Sequence, residues 1–184
     1  YRLKKEIEVP LNLEMAATPE MVAIAIETSP DMEMIVPEGR LEVTTEGGLV
    51  VVSDMEHLTS VVGTLHARGI PVSAFVDAAT AQIEAAKGCG FTVCEIHTGS
   101  YAEAVIKHDF MLDHLAVIAE LEKVAKAVSF VQEIGLQCNA GHGLTHHNVQ
   151  GVALIPNIRE LHIGHSIVSR SVFVGMQQSV KEMK

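Results

Sequence analysis

Asn139-Ala140-Gly141-His142-Gly143-Leu144 and, further on, Ile163-Gly164-His165-Ser166 decide how the rest of this chain is read. Each stretch closes a short apolar run with glycine and histidine, and the second leads into a helix-period pattern. In a parallel α/β barrel the loops after the last two strands commonly hold a phosphate, helped by a helix N-terminus. Glycine lets the backbone come close enough for N–H groups to reach the anion. Histidine adds a donor that can also move a proton near neutral pH. The pairing points to an enzyme acting on a small phosphorylated substrate.

Outward from these loops, short apolar runs alternate with longer helix-period stretches, as in repeated βα units. The patterning predicts strands over 9–16, 32–36, 70–76, 91–97, 136–140 and 160–163. Helices are expected over 19–28, 55–68, 79–87, 109–134, 147–154 and 166–183. Thr18-Pro19 reads as an N-cap followed by proline at the first helical position. Gly69, Gly88 and Gly135 stand where helices should stop. The long helix carries a stripe of Leu115, Ile118, Leu121, Val124, Val128 and Val131, with Glu122 and Lys126 as an i,i+4 pair.

Those six strands fall short of a closed (β/α)8 barrel, which needs eight and usually about 250 residues. Residues 1–8 read as the tail of a helix, and the chain starts without methionine, so two βα units are expected upstream of Tyr1. An open doubly wound sheet is the alternative that suits the length better. Charge placement favours the barrel. Asn12 and Glu14 share one strand face, as do Glu95 and His97, while Leu11, Leu13, Cys94 and Ile96 face the other way. Polar groups on one side near strand ends suit a barrel mouth better than a sheet covered on both faces.

Composition narrows the partners. A formal charge of −10 argues against duplex nucleic acid, whose backbone needs a basic surface. It leaves anionic small molecules open, because local N–H groups decide that. No apolar run approaches the roughly 20 residues of a membrane span. Cys89, Cys94 and Cys138 have no metal-ligand spacing and read as reduced core residues of a cytosolic protein.

Three residues stand out chemically. Glu14 in an apolar strand is costly unless paired or functional, and desolvation would raise its pKa into the range of a general base. Glu95 has a similar case, with His97 as a ready partner. His142 between two glycines is poorly explained by packing. His146 and His147 extend the cluster, but no metal-binding spacing supports a metal centre. The helical histidines His57, His66, His108 and His114 read as solvated. No predicted strand carries a lysine for Schiff-base chemistry, and no organic cofactor is expected.

Six blocks in register carry a resemblance: Asn12-Leu13-Glu14-Met15-Ala16, Val36-Pro37-Glu38, Val43-Thr44-Thr45-Glu46-Gly47-Gly48, Glu95-Ile96-His97-Thr98-Gly99, Asn139 to Leu144, and Ile163-Gly164-His165. Together they resemble the pyridoxine 5'-phosphate synthase family. The resemblance implies a (β/α)8 TIM barrel of which this chain supplies about the last six βα units as a single domain. It implies a cytoplasmic enzyme that assembles as a homo-octamer. The implied reaction condenses 3-amino-2-oxopropyl phosphate with 1-deoxy-D-xylulose 5-phosphate, without metal or cofactor, releasing phosphate and water.

By the same resemblance Glu14 is the carboxylate base, Glu95 stabilises the transition state and His142 donates a proton. Thr44 contacts the deoxyxylulose phosphate, and Gly143, Gly164 and His165 hold the aminoketone phosphate. Two features depart from the family pattern. The family's Asn-x-Asp-His and His-x-Arg motifs, from its first two strands, are absent from this sequence, and Gly39 stands where a lysine is expected before Arg40. The competing expectations are an inactive barrel fragment that retains phosphate binding or assembly, and another phosphate-binding barrel enzyme.

Overall fold

The computed structural model describes residues 2–38 and 47–184. Its centre is one six-stranded parallel sheet in strict chain order. The strands are β1 (Asn12–Met15), β2 (Met32–Ile35), β3 (Val72–Val76), β4 (Val93–His97), β5 (Gln137–Gly141) and β6 (Ile158–His162). Consecutive parallel neighbours, each reached through a helical connection, make this a run of (β/α)8-barrel units. A doubly wound sheet would reverse its order at a switch point. Among the described residues β1 and β6 are the two edges.

The helices are α1 (Arg2–Glu6), α2 (Pro19–Thr28), α3 (Met55–His66), α4 (Thr80–Gly88), α5 (Gly99–Lys107), α6 (Leu115–Glu133), α7 (Val149–Ala153), α8 (His165–Val174) and α9 (Met176–Met183). A short 3-10 turn covers Val51–Ser53. Thr18 caps α2 as expected, its hydroxyl accepting from the Met21 N–H. The core lies between helices and sheet, where Ile35, Val72, Ala74, Val76, Cys94, Ile96, Cys138 and Ala140 meet Leu58, Val62, Leu65, Ile83, Val105, Val124, Val128 and Val131. All three cysteines are free and buried.

The period-two alternation sorts β1 and β4 as expected, and its physical effect is visible in the register. Glu14 pairs with Met34, and Leu13 with Glu33. Even-numbered residues of β1 and β2 look into the barrel, while Leu13 and Ile35 join the helix-facing core.

Three helix expectations need correction. The stretch from residue 99 onward forms a separate helix, α5, and α6 begins only at Leu115. Asp109 and Phe110 have φ of 52° and 62°, which an α-helix cannot contain, so the chain turns there. The Leu115–Val131 stripe holds only in its second half. Leu115 is exposed and Val117 is buried instead, whereas Val124, Val128 and Val131 are buried as expected. The C-terminal helix is two, broken at Gly175 with φ 82°. His114 is no solvated bystander, because its Nδ1 accepts from the Ala116 N–H at the start of α6 and its ring stacks on His108 at 3.7 Å. His57 Nε2 lies 2.8 Å from the Ala17 carbonyl, and the buried His66 Nε2 has no hydrogen-bond partner.

Candidate active site

The C-terminal ends of the strands enclose a concavity of about 500 Å³. Glu14, Glu95 and His142 all line it, together with Gly143, Gly164 and His165. These groups come from β1, from β4 and from the loops after β5 and β6, so only the curvature of the sheet brings them together.

The floor is formed by β4 and β5. Glu95 is 2% exposed and pairs in register with Asn139. Its Oε2 is hydrogen-bonded to His162 Nδ1. A methyl group on Gly141 would collide with Glu95 Oε1 and sit 2.9 Å from the His162 carbonyl. Gly141 is thus glycine because the carboxylate passes across its Cα.

The His142 loop rests on the end of β4. Thr98 Oγ1 lies 2.7 Å from the Gly141 carbonyl and 2.5 Å from that of His142. His142 and Gly143 both take left-handed φ, 80° and 72°. That conformation is strained for histidine, and the Thr98 hydroxyl helps to hold it. A Cβ on Gly143 would meet the Ala102 methyl at 2.6 Å, so the loop packs directly on α5. Asn148 braces it from the far side, accepting from the Thr145 N–H at 2.7 Å and donating to the Gly143 carbonyl at 3.2 Å.

The two glycine–histidine loops are joined by one bond. Ser166 Oγ, in the first turn of α8, donates to the Leu144 carbonyl at 2.7 Å. Gly164 is the N-cap of α8, and a Cβ there would meet nothing within 4 Å. Its lack of side chain is therefore not required by packing, and it leaves the mouth of the concavity open beside the helix N-terminus.

A second imidazole supports His142. The His97 and His142 ring centroids are 4.8 Å apart in an edge arrangement, and Phe75 contacts both rings. His97 Nδ1 lies 2.8 Å from Asp77 Oδ1, which also accepts the Gly48 N–H at 3.0 Å. Gly48 lies flat on the end of β3, where any Cβ would overlap the Val76–Asp77 backbone.

Electrostatics differentiate the three central groups. Desolvation raises Glu14, the Glu95 charge adds to the rise, and His162 opposes it. Desolvation lowers His142, with His97 adding and Glu95 and Glu103 opposing. A base moved up and an acid moved down approach a common pH range, in which one can take a proton and the other return one.

The chain matches, over residues 1–184, the family model described as "Pyridoxal phosphate biosynthesis protein PdxJ". It is 51% identical over 183 residues to the pyridoxine 5'-phosphate synthase of Dechloromonas aromatica (strain RCB), covering 100% of this chain and 73% of that protein. The chain belongs to this family. The family's protein from Photobacterium profundum, with the same name, is 47% identical over 99% of this chain and 72% of its own. Among solved structures, 3-keto-L-gulonate-6-phosphate decarboxylase from Vibrio cholerae superposes with a TM-score of 0.60 at 10% identity, covering 94% of this chain and 70% of that one. That likeness speaks for the barrel fold alone.

Of the site residues expected by resemblance to the family, Glu14, Glu95, His142, Gly143, Gly164 and His165 share one concavity. Thr44, Gly39 and Arg40 lie outside the described residues. Two expectations change. Glu14 is exposed on edge strand β1 rather than buried, although its carboxyl is still raised. Glu95 takes His162 as its partner, and His97 takes Asp77. His146 and His147 instead line a separate hollow with Phe110, Arg170 and Phe173. Among the described residues no cluster of histidine, cysteine or carboxylate could hold a metal ion, and no helix is long and apolar enough to cross a membrane.

His162 and Asp77 are the residues that sequence reasoning passed over, and Thr98 and Ser166 stood in the quoted stretches without a role. His162 and Glu160 did carry a signal, as two polar residues on one face of the last strand.

Proposed function

We propose that this chain forms the acid–base face of a pyridoxine 5'-phosphate synthase. On this reading the amine of 3-amino-2-oxopropyl phosphate attacks the ketone of 1-deoxy-D-xylulose 5-phosphate. Successive proton transfers then expel water and inorganic phosphate as the ring closes. The observation that carries the reading is the convergence of Glu14, Glu95 and His142 beside two glycine-rich loops at a helix N-terminus.

Glu14 acts as the base, because its raised carboxyl suits proton abstraction near neutral pH. His142 returns a proton to the departing oxygen, its lowered pKa making it a ready donor. Glu95 stabilises positive charge that develops on the attacking nitrogen. Gly143, Gly164 and His165 receive the aminoketone phosphate, and Thr44 the deoxyxylulose phosphate. No metal or organic cofactor has a role in this scheme. A cytoplasmic location and assembly as a homo-octamer belong to the same reading and rest on the family resemblance.

The test is direct. Incubating the protein with both phosphorylated substrates should release one inorganic phosphate per pyridoxine 5'-phosphate formed, followed by phosphate assay and chromatography. Phosphate binding without product would support the inactive-barrel reading instead.

A further inference from the structure

We propose that His162 is a positioning residue of this site: an imidazolium held between two carboxylates, it fixes Glu95 and keeps Glu14 usable as a base. This rests on the reading of Glu14 and Glu95 as the site's working carboxylates.

The geometry starts with the two ring nitrogens. Nδ1 is hydrogen-bonded to Glu95 Oε2, and Nε2 lies 3.3 Å from Glu160 Oε2. An ionised carboxylate only accepts, so each nitrogen must donate, and an imidazole donates from both only when it is charged. The cation is therefore demanded by hydrogen-bond direction.

Burial adds a second argument. Glu95 is 2% exposed, and an ion that deep needs a partner to offset its lost hydration. Gly141, its neighbour on β5, brings no charge and makes way for the carboxylate. Among the described residues lining the concavity there is no lysine or arginine. The carboxylates facing His162 are Glu95 on β4, Glu14 on β1 and Glu160 on its own strand, and Arg159 Nε lies 3.7 Å from Glu160 Oε1. Glu95 and Glu160, against the desolvation that lowers it, hold the His162 imidazole at about 9, with the Glu95 hydrogen bond as the largest cause.

The consequence falls on Glu14. The Glu95 charge makes Glu14 harder to ionise and the His162 charge makes it easier. Counting Glu14, Glu95 and Glu160 against the His162 cation, two net negative charges remain when Glu14 ionises. Without His162 there are three, beside substrates that are themselves anionic.

The test uses His162→Gln, which keeps a side-chain donor of similar reach and removes the charge. The acid limb of kcat/KM should move up by roughly one pH unit. A merely structural role would lower kcat or thermal stability without moving that limb, and such a result would overturn the proposal. Imidazole NMR of the full chain supplies an arm independent of turnover. The His162 ring should stay charged beyond pH 8, and in Glu95→Gln its titration should fall clearly toward the ordinary value of about 6.5. A His162 ring that titrates near 6.5 with Glu95 intact refutes the proposal even if His162→Gln fails to fold. Absence of turnover alongside the expected NMR titration would count against the synthase reading while upholding the His162–Glu95 pair.

Discussion

Glu14 and Glu33 occupy neighbouring strands one residue out of register, and they meet opposite environments. Glu14 pairs with Met34 and opens into the concavity, exposed, with His162 among the groups that act on it. Glu33 pairs with Leu13 and Val72, points among the helices, is 0% exposed, and neither carboxyl oxygen has a hydrogen-bond partner. Burial drives its carboxyl to about 8, with the Glu14 charge a secondary cause. A raised carboxyl is therefore not itself a site. Glu14 has space for a substrate and proton-transfer partners around it; Glu33 has an apolar layer and no access. Parity along the strand, the side of the sheet on which a residue falls, separates the two.

The sharpest way to break the comparison is Glu14→Gln. It keeps the shape and removes the base, and kcat should fall roughly 10²–10⁴-fold with KM much less affected. His142→Asn should show the same pattern through its own proton-transfer step. Steady-state kinetics check both, and an unchanged kcat for Glu14→Gln would remove the interior face from the chemistry.

Next in size is Gly141→Ala. The added methyl must displace the Glu95 carboxylate or the His162 backbone. A drop in kcat should accompany destabilisation of about 1–3 kcal/mol, measured by urea unfolding. Full activity with native stability would show that Glu95 does not need its present position.

Glu33→Met tests the outer face and should do the opposite. Removing an unpartnered buried carboxyl should stabilise the protein by about 1–3 kcal/mol at neutral pH and leave kcat unchanged. The sign with pH follows from the raised value. The fold favours the protonated acid, so ionisation of Glu33 costs nothing below its ordinary 4.5, and stability falls as pH rises from there through about 8. Unfolding curves from pH 4 to 9 should lose that slope in the variant. A slope that persists would mean other groups set it.

The smallest effect is expected at the mouth. Gly164→Val adds a side chain whose Cβ meets nothing within 4 Å and which projects beside the N-terminus of α8. It should raise the KM for the aminoketone phosphate roughly tenfold, about 1.4 kcal/mol, with little change in kcat. Substrate titrations settle it, and an unchanged KM would move the phosphate elsewhere.

Much of this was legible in one dimension. Alternation in Asn12-Leu13-Glu14 and Cys94-Glu95-Ile96 assigns each residue to a face because a strand's side chains repeat every two positions. The glycine–histidine loops announce close backbone approach. The helix boundaries around Asp109, Phe110 and Gly175 were harder, since an apolar stripe continues through a turn without recording its φ. Glu33 went unnoticed because Met32-Glu33-Met34-Ile35 shows an isolated acid without showing what covers it.

The sequence by itself determined the parallel βα repeat, the faces on which the residues of β1 and β4 lie and the residues able to move protons. These are local properties, carried by period, turn chemistry and side-chain type. Tertiary structure alone decided the partners. His162 rather than His97 meets Glu95, Asp77 holds His97, Thr98 holds the strained His142 loop, and Ser166 joins the two glycine–histidine loops. Each pair spans different βα units, and their distances depend on how far the sheet curls. That curvature arises from the packing of every strand against its neighbours and helices, and no short stretch of sequence contains it.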